Sequence, residues 1–344
     1  MCDDPTVSEE AALTVPLGTR VAGWARKFGP WLLAAGLLYW ITGRVSWSEA
    51  WGAAQEAELG IFATALMAAA IYWFALDSLG FSMLFSRLNA PVSWSEARSV
   101  RALTYLITPI NWNVGTAGVV LHLRQSKGIP AVEGASSMMF YGGIDGIVII
   151  GLLCAGVALL PDAGGFSNAL PGILAFFTVQ LVFLGLVMAN RPTWGWLTRL
   201  RAVRIFHSYR RASRQDILAL VALRAVYFSG FVVLFWWGTG AFGVDLPLSY
   251  TAATMPFVMG SAMFTPAGVG GQQAVMLEFY EPYGSEAAIL AFGVAFPVGL
   301  ILARLFIGVT YIRDLKAFQI ARREAQAAEA ADAGTEATAV ASDG

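Results

Sequence analysis

Long apolar runs separated by short charged stretches dominate the chain. A helix needs about 20 mostly apolar residues to cross a bilayer, because it rises 1.5 Å per residue through a core about 30 Å thick. Seven runs predict membrane helices: Gly29–Gly43, Leu59–Leu84, Glu133–Leu160, Ala169–Ala189, Ile217–Phe242, Tyr250–Phe264 and Glu286–Ile312. The first and sixth are short. A semi-polar segment, Glu96–Lys127, separates the second run from the third.

Basic residues mark the cytoplasmic ends of membrane helices. Arg20, Arg26 and Lys27 precede the first run, and Glu49, Glu56 and Glu58 follow it. Arg87, Arg98 and Arg101 follow the second. Seven arginines lie between Arg191 and Arg214, and Arg313, Lys316, Arg322 and Arg323 close the last run. Both termini are therefore expected in the cytoplasm. This orientation requires Glu96–Lys127 to enter and leave on one side, and Arg98, Arg101, Arg124 and Lys127 mark both its ends as basic. Its middle reads Thr108-Pro-Ile-Asn-Trp-Asn-Val-Gly115, a helix-breaking sequence. A re-entrant helical hairpin over about 96–127 is expected. A second, over about 249–285, enters from the opposite face: Asp245 precedes it, Glu278, Glu281 and Glu286 follow, and Thr265-Pro-Ala-Gly-Val-Gly-Gly271 breaks it. The alternative is that Pro109 and Pro266 kink ordinary helices.

The two breaks are alike. Thr108-Pro109, Val114-Gly115 and Val119-Val120-Leu121 are matched by Thr265-Pro266, Val269-Gly270 and Val275-Met276-Leu277. A span precedes and follows each. The expected fold is thus an all-α polytopic membrane protein of six to eight membrane helices, with two oppositely oriented re-entrant hairpins in an inverted repeat, an arrangement many transporters use. Residues 1–28 read as a disordered leader, 29–316 as the membrane domain, and 317–344 as an acidic, alanine-rich tail.

Composition sharpens this picture. Of 344 residues, 57% are hydrophobic and 13% charged, about half the charge of a soluble domain. Net charge is −1 and names no partner. The acidic start is unlike a secretory signal. Two cysteines, Cys2 and Cys154, and two histidines, His122 and His207, are too scattered for a disulfide, metal or acid–base set. No cofactor, metal or nucleic acid is expected, and no catalytic residues.

Three stretches resemble the transmembrane region of lysylphosphatidylglycerol synthases and its stand-alone flippase-like relatives, over roughly residues 30–316. They are Pro109–Gly118 with the following LHLRQSKG (121–128), Asp145 within YGGIDGIVII, and PAGVGGQQ, Pro266–Gln273. The last resembles the family's Pro-Gly-Gly-Leu-Gly-x-x-Glu loop, with Gln273 in place of its glutamate. Tyr141 and Gly142 stand where the family carries Glu-Arg. The soluble aminoacyl-transferase domain of full synthases is expected to be absent, because no long polar region remains to hold it. The resemblance implies a cell (inner or plasma) membrane location and handling of lipids.

The candidate headgroup path follows. Gly115, Gly268, Gly270 and Gly271 let backbone amides approach an anion, or equally let helices pack. Asn111, Asn113, Gln272 and Gln273 offer polar contacts or caps. Asp77, Asp145, Arg224 and Arg304 lie within spans, where charge needs a partner or a cavity. Arg124 and Pro266 complete the set. Asp145 or another acid is expected to pair with a buried arginine across the repeat interface. The expected function is a flippase-like transporter moving a lipid with an anionic or polar headgroup between leaflets. The alternative is a non-catalytic membrane subunit for a cell-envelope lipid or glycolipid enzyme.

Overall fold

The structure, a computed structural model, describes residues 17–107, 112–160, 203–262 and 268–313, Thr265, and scattered helical positions between 171 and 185. The expected leader before Leu17, Thr108–Asn111, most of the fourth run, the arginines from 191 to 201, Pro266 and the acidic tail lie outside these residues.

All regular structure among the described residues is helical. In chain order the helices are α1 (Leu17–Arg44), α2 (Trp47–Glu56), α3 (Leu59–Leu88), α4 (Trp94–Ile107), α5 (Trp112–Lys127) and α6 (Ala131–Ala158). They continue with α7 (His207–Arg211), α8 (Arg214–Gly240), α9 (Leu248–Ser261), α10 (Gly271–Tyr280) and α11 (Glu286–Thr310). Local chemistry sets several starts. Ser46 with Glu49, and Ser213 with Asp216, form reciprocal capping boxes at α2 and α8, each satisfying orphan first-turn amides. The Ser285 side chain caps α11. The acidic stretch after the first run, for which no element was expected, is the helix α2.

Among the described residues four helices, α3, α6, α8 and α11, are long and apolar enough to cross a membrane. Only 22% to 39% of the residues in their most apolar stretches are buried. Large apolar side chains such as Leu218, Leu302 and Phe306 instead face outwards. In water such a surface is unfavourable; lipid tails solvate it. The chain is a membrane protein.

Contacts fix how these helices run. The Glu58 amide, at the start of α3, donates to Ala241 O just past α8 (2.8 Å). At their other ends Arg87 pairs with Asp216 (2.8 Å). So α3 and α8 are antiparallel, and they form the most extensive helix pair among the described residues. Gly230 makes this close: a Cβ there would meet the Tyr72 ring at 2.3 Å.

The shorter helices form two hairpins. Lys127, ending α5, pairs with Glu96 in the first turn of α4 (3.0 Å), so both outer ends of α4–α5 meet at the end of the bundle that holds Arg87. Tyr250, near the start of α9, donates to Phe279 O near the end of α10 (2.9 Å), and the Asp245 amide donates to Tyr283 O (3.0 Å). The α9–α10 hairpin therefore opens at the opposite end, where Arg44 pairs with Glu278, Glu281 and Glu286. The 14 residues of α4 and of α9 extend roughly 21 Å each, less than a bilayer core.

Candidate functional site

Helices α3, α4, α6 and α8 each bring one charged side chain to a common point. Arg224 of α8 grips Asp145 of α6 with two nitrogens: Nε donates to Oδ1, and Nη2 to Oδ2 at 2.9 Å. Its Nη1 donates to Asp77 Oδ1 of α3 and to Tyr141 Oη of α6, both at 3.1 Å. The second Asp77 oxygen accepts from Arg101 Nη2 of α4. Such two-pronged arginine–carboxylate contacts are strong and directional.

Aromatic rings enclose the network. The Arg224 guanidinium lies 3.7 Å from the Tyr227 ring centre and 4.7 Å from that of Tyr141. Arg101 sits 5.1 Å from Phe81 and 4.9 Å from Tyr105. The side chains of Arg224, Asp77 and Arg101 are 4%, 5% and 7% exposed, whereas that of Asp145 is 24% exposed. Two acids and two arginines sum to zero charge. That neutrality lets the group lie deep in a low-dielectric interior, where an unpaired charge is costly. By helical rise, Arg224 and Asp77 lie roughly 15 Å from the Arg87 end of their helices, about half of a bilayer core.

Tyr141 enters the network only because its neighbour has no side chain. A Cβ on Gly80 would fall 1.9 Å from the Tyr141 hydroxyl. The sequence pointed to Asp77, Asp145 and Arg224, and the expected acid–arginine pairing is present. It missed Arg101, read as a marker of a cytoplasmic loop, and the hydrogen-bonding role of Tyr141. The signal for Arg101 was its helical spacing from Ala97, Thr104 and Tyr105, which share the buried face of α4.

The other candidates lie elsewhere. Arg304 of α11 stands near the network, 5.5 Å from the ring centres of Trp73 and Tyr105. Arg124 is exposed near the end of α5, away from the network. Gly115 is buried in the first turn of α5. Asn113 lies in that turn; Asn111 and Pro266 fall outside the described residues.

At the second break Gly268 and Gly270 adopt φ of 75° and 83°, conformations that disfavour side chains. Gly271 begins α10, and a Cβ there would sit 2.7 Å from Ser261 O. Gln272 is half-buried. Gln273 is buried with both ends engaged: Oε1 accepts from the Gly270 amide (2.9 Å), and Nε2 donates to Gly293 O of α11 (2.6 Å). It clamps the break to α11, a bond that a glutamate, lacking the amide donor, could not make when ionised. A cavity of about 190 Å³ beside this break is lined by Leu33, Leu37, Ser261, Thr265, Gly271, Ala274 and Val275, and no member of the charge network lines it.

These features define a polytopic helical membrane protein with a self-neutralised charge network at its centre. The family described as "Lysylphosphatidylglycerol synthase TM region" matches residues 28–308, and the chain belongs to it. No curated protein and no solved structure matches the chain.

Proposed function

We propose that this protein is a flippase-like transporter that carries a lipid headgroup between leaflets through two oppositely oriented re-entrant hairpins related by an inverted repeat. The observation that carries the reading is the charge network, which ties one arm of a hairpin (α4) to three long apolar helices at mid-depth. Membership of the family supports a role with membrane lipids.

Helix pairing supports the repeat. One unit is α3-α4-α5-α6, of 30, 14, 16 and 28 residues; the other is α8-α9-α10-α11, of 27, 14, 10 and 25. The two first helices pack on each other, and the last helix of each unit packs on the first hairpin arm of the other: α6 on α9, α11 on α4. A glycine makes each exchanged contact two residues from its helix end. A Cβ on Gly156 would meet Ala253 N at 2.5 Å, and one on Gly308 would meet Ala102 O at 2.9 Å. Irregular backbone at membrane depth is tolerated where protein or a cavity satisfies it, as the Gln273 clamp does. Opening one hairpin relative to the partner unit would then alternate access, with acyl chains left in lipid. The basic end faces the cytoplasm.

A second reading is a non-catalytic membrane subunit for a lipid-synthesising enzyme. The mutual neutralisation of Arg101, Asp77, Arg224 and Asp145 favours it, since a static, charge-balanced network needs no ligand.

Leaflet exchange of labelled phospholipids and polyprenyl phosphates in reconstituted vesicles tests the two. Transport predicts acceleration that Asp145→Asn and Arg224→Ala abolish. Folded protein that accelerates no lipid would leave the subunit reading standing.

A further inference from the structure

Helix α1 belongs to neither of the two units, yet it lies across the second break. A Cβ on Gly270 would fall 3.2 Å from Leu37 Cβ and 3.3 Å from Ala34 O, so a side chain there would push α1 away. The contact is narrow. Between Phe28 and Arg44 only Ala34 and Ile41 are buried, and among the described residues α10 is the helix on which α1 chiefly packs. Beside this contact the surfaces part. The cavity of about 190 Å³ has Leu33 and Leu37 of α1 as one wall and the break, with Ala274 and Val275 of α10, as the other. Protein interiors normally fill such space. Thr265 lines the same seam; it is 5% exposed, and its Oγ1 is buried without a hydrogen-bond partner. Buried hydroxyls are partnered as a rule.

The two ends of α1 differ in kind. At the outer end Arg44 is held by charge alone: it pairs with Glu286 at the start of α11, with Glu281 (3.4 Å) and with Glu278 (3.7 Å). Its own side chain is 25% exposed and those of Glu281 and Glu278 are 59% and 70% exposed, so water and salt compete for these bonds. Towards the other end Pro30 sits inside the helix. Proline has no N–H to give the carbonyl four residues back, which makes it a point where a helix bends. Arg44 lies roughly 21 Å further along. A helix with few buried contacts, a bend at one end and an exposed ionic tie at the other is a low-stability element.

Resting on the transport reading above, we infer that α1 is a lateral gate over the second break. It hinges at Pro30 and is latched by Arg44 to the mouth of the α9–α10 hairpin. Closed, α1 shields the break from lipid and leaves the Thr265 hydroxyl unsatisfied. Released, it swings outwards, the seam widens, and the break meets water and headgroups of the outer leaflet.

The test uses the full chain, without Cys2 and Cys154, in sealed vesicles. Thr265→Cys reports the seam, because a thiol reacts with N-ethylmaleimide only as the thiolate, which requires water. Thr104→Cys, equally buried in the other hairpin, is the control. Arg44→Gln should quicken labelling at Thr265→Cys roughly three- to tenfold, the scale of a partly exposed ion pair with a charge-assisted hydrogen bond, and leave Thr104→Cys unchanged. High salt should act in the same direction. Pro30→Ala, which restores the missing bond, should slow labelling. A cleavable bismaleimide joining Arg44→Cys to Glu281→Cys should stop leaflet exchange, and reduction of the linker should restore it.

Labelling of Thr265→Cys that ignores Arg44→Gln would overturn the latch. Equal quickening at Thr104→Cys would also overturn it, since the whole fold would then be loosening. Exchange that continues with the linker in place, yet still needs Asp145, would sink the gate and spare transport. Absence of exchange in every form would sink transport alone, because labelling at Thr265→Cys reads the movement of α1 by itself.

Discussion

At the residue scale, small positions decide which large ones can meet. Tyr141 reaches Arg224 only across the space left by Gly80. Gly80→Ala should therefore push the phenol off Arg224 and cost about 1–3 kcal/mol, the range for overpacking, read as a fall in Tm. Tyr141→Phe removes the clashing hydroxyl, so adding it to Gly80→Ala should recover part of the loss. Strict additivity of the two changes would count against the contact. Asp77, Asp145 and Arg224 stood out in the sequence because charge inside an apolar run has few explanations. Arg101 did not, because a basic residue just beyond a run has an ordinary one. Only the packing of α4 against α3 turned it inwards.

At the scale of elements, the four long helices were plain from their apolar runs, and their ends fell within a few residues of expectation. Helix α2 was missed because ten residues with three small alanines carry little periodicity; its capping box was the available signal. The exchanged contacts at Gly156 and Gly308 could not be read from the sequence, since a glycine near a helix end fits many roles. They make a prediction of sign. Glycine to alanine in an exposed helix stabilises by up to about 1 kcal/mol. Gly156→Ala and Gly308→Ala should instead each lower Tm, because the new methyl meets backbone atoms of α9 and α4 that cannot swing aside. A rise in Tm for both would remove the close approach from the account of the repeat.

At the scale of the whole molecule, charge is divided between the two ends of the bundle. Glu278, Glu281 and Glu286 gather with Arg44 at one end, and Arg87, Lys127, Arg210 and Arg211 lie towards the other. In a variant lacking Cys2 and Cys154, single cysteines at Glu56 and Glu278 should react with an impermeant thiol reagent from one side of a sealed vesicle. Cysteines at Arg87 and Lys127 should react only from the other. Labelling of Lys127→Cys from the side that labels Glu278→Cys would show that α4–α5 crosses the membrane instead of turning back.

The sequence by itself determined the class of molecule, the long spans and the identity of three buried charges, because transfer of apolar or charged groups into lipid carries a free energy that depends on residue type alone. It also placed the two breaks, where proline and glycine disrupt a helix whatever surrounds them. Only the tertiary structure decided which charges neutralise one another, and that Gln273 ties the second break to α11. Those outcomes depend on distances between helices far apart in the chain, and a pairing energy that changes steeply over a few ångströms is invisible until the helices are packed.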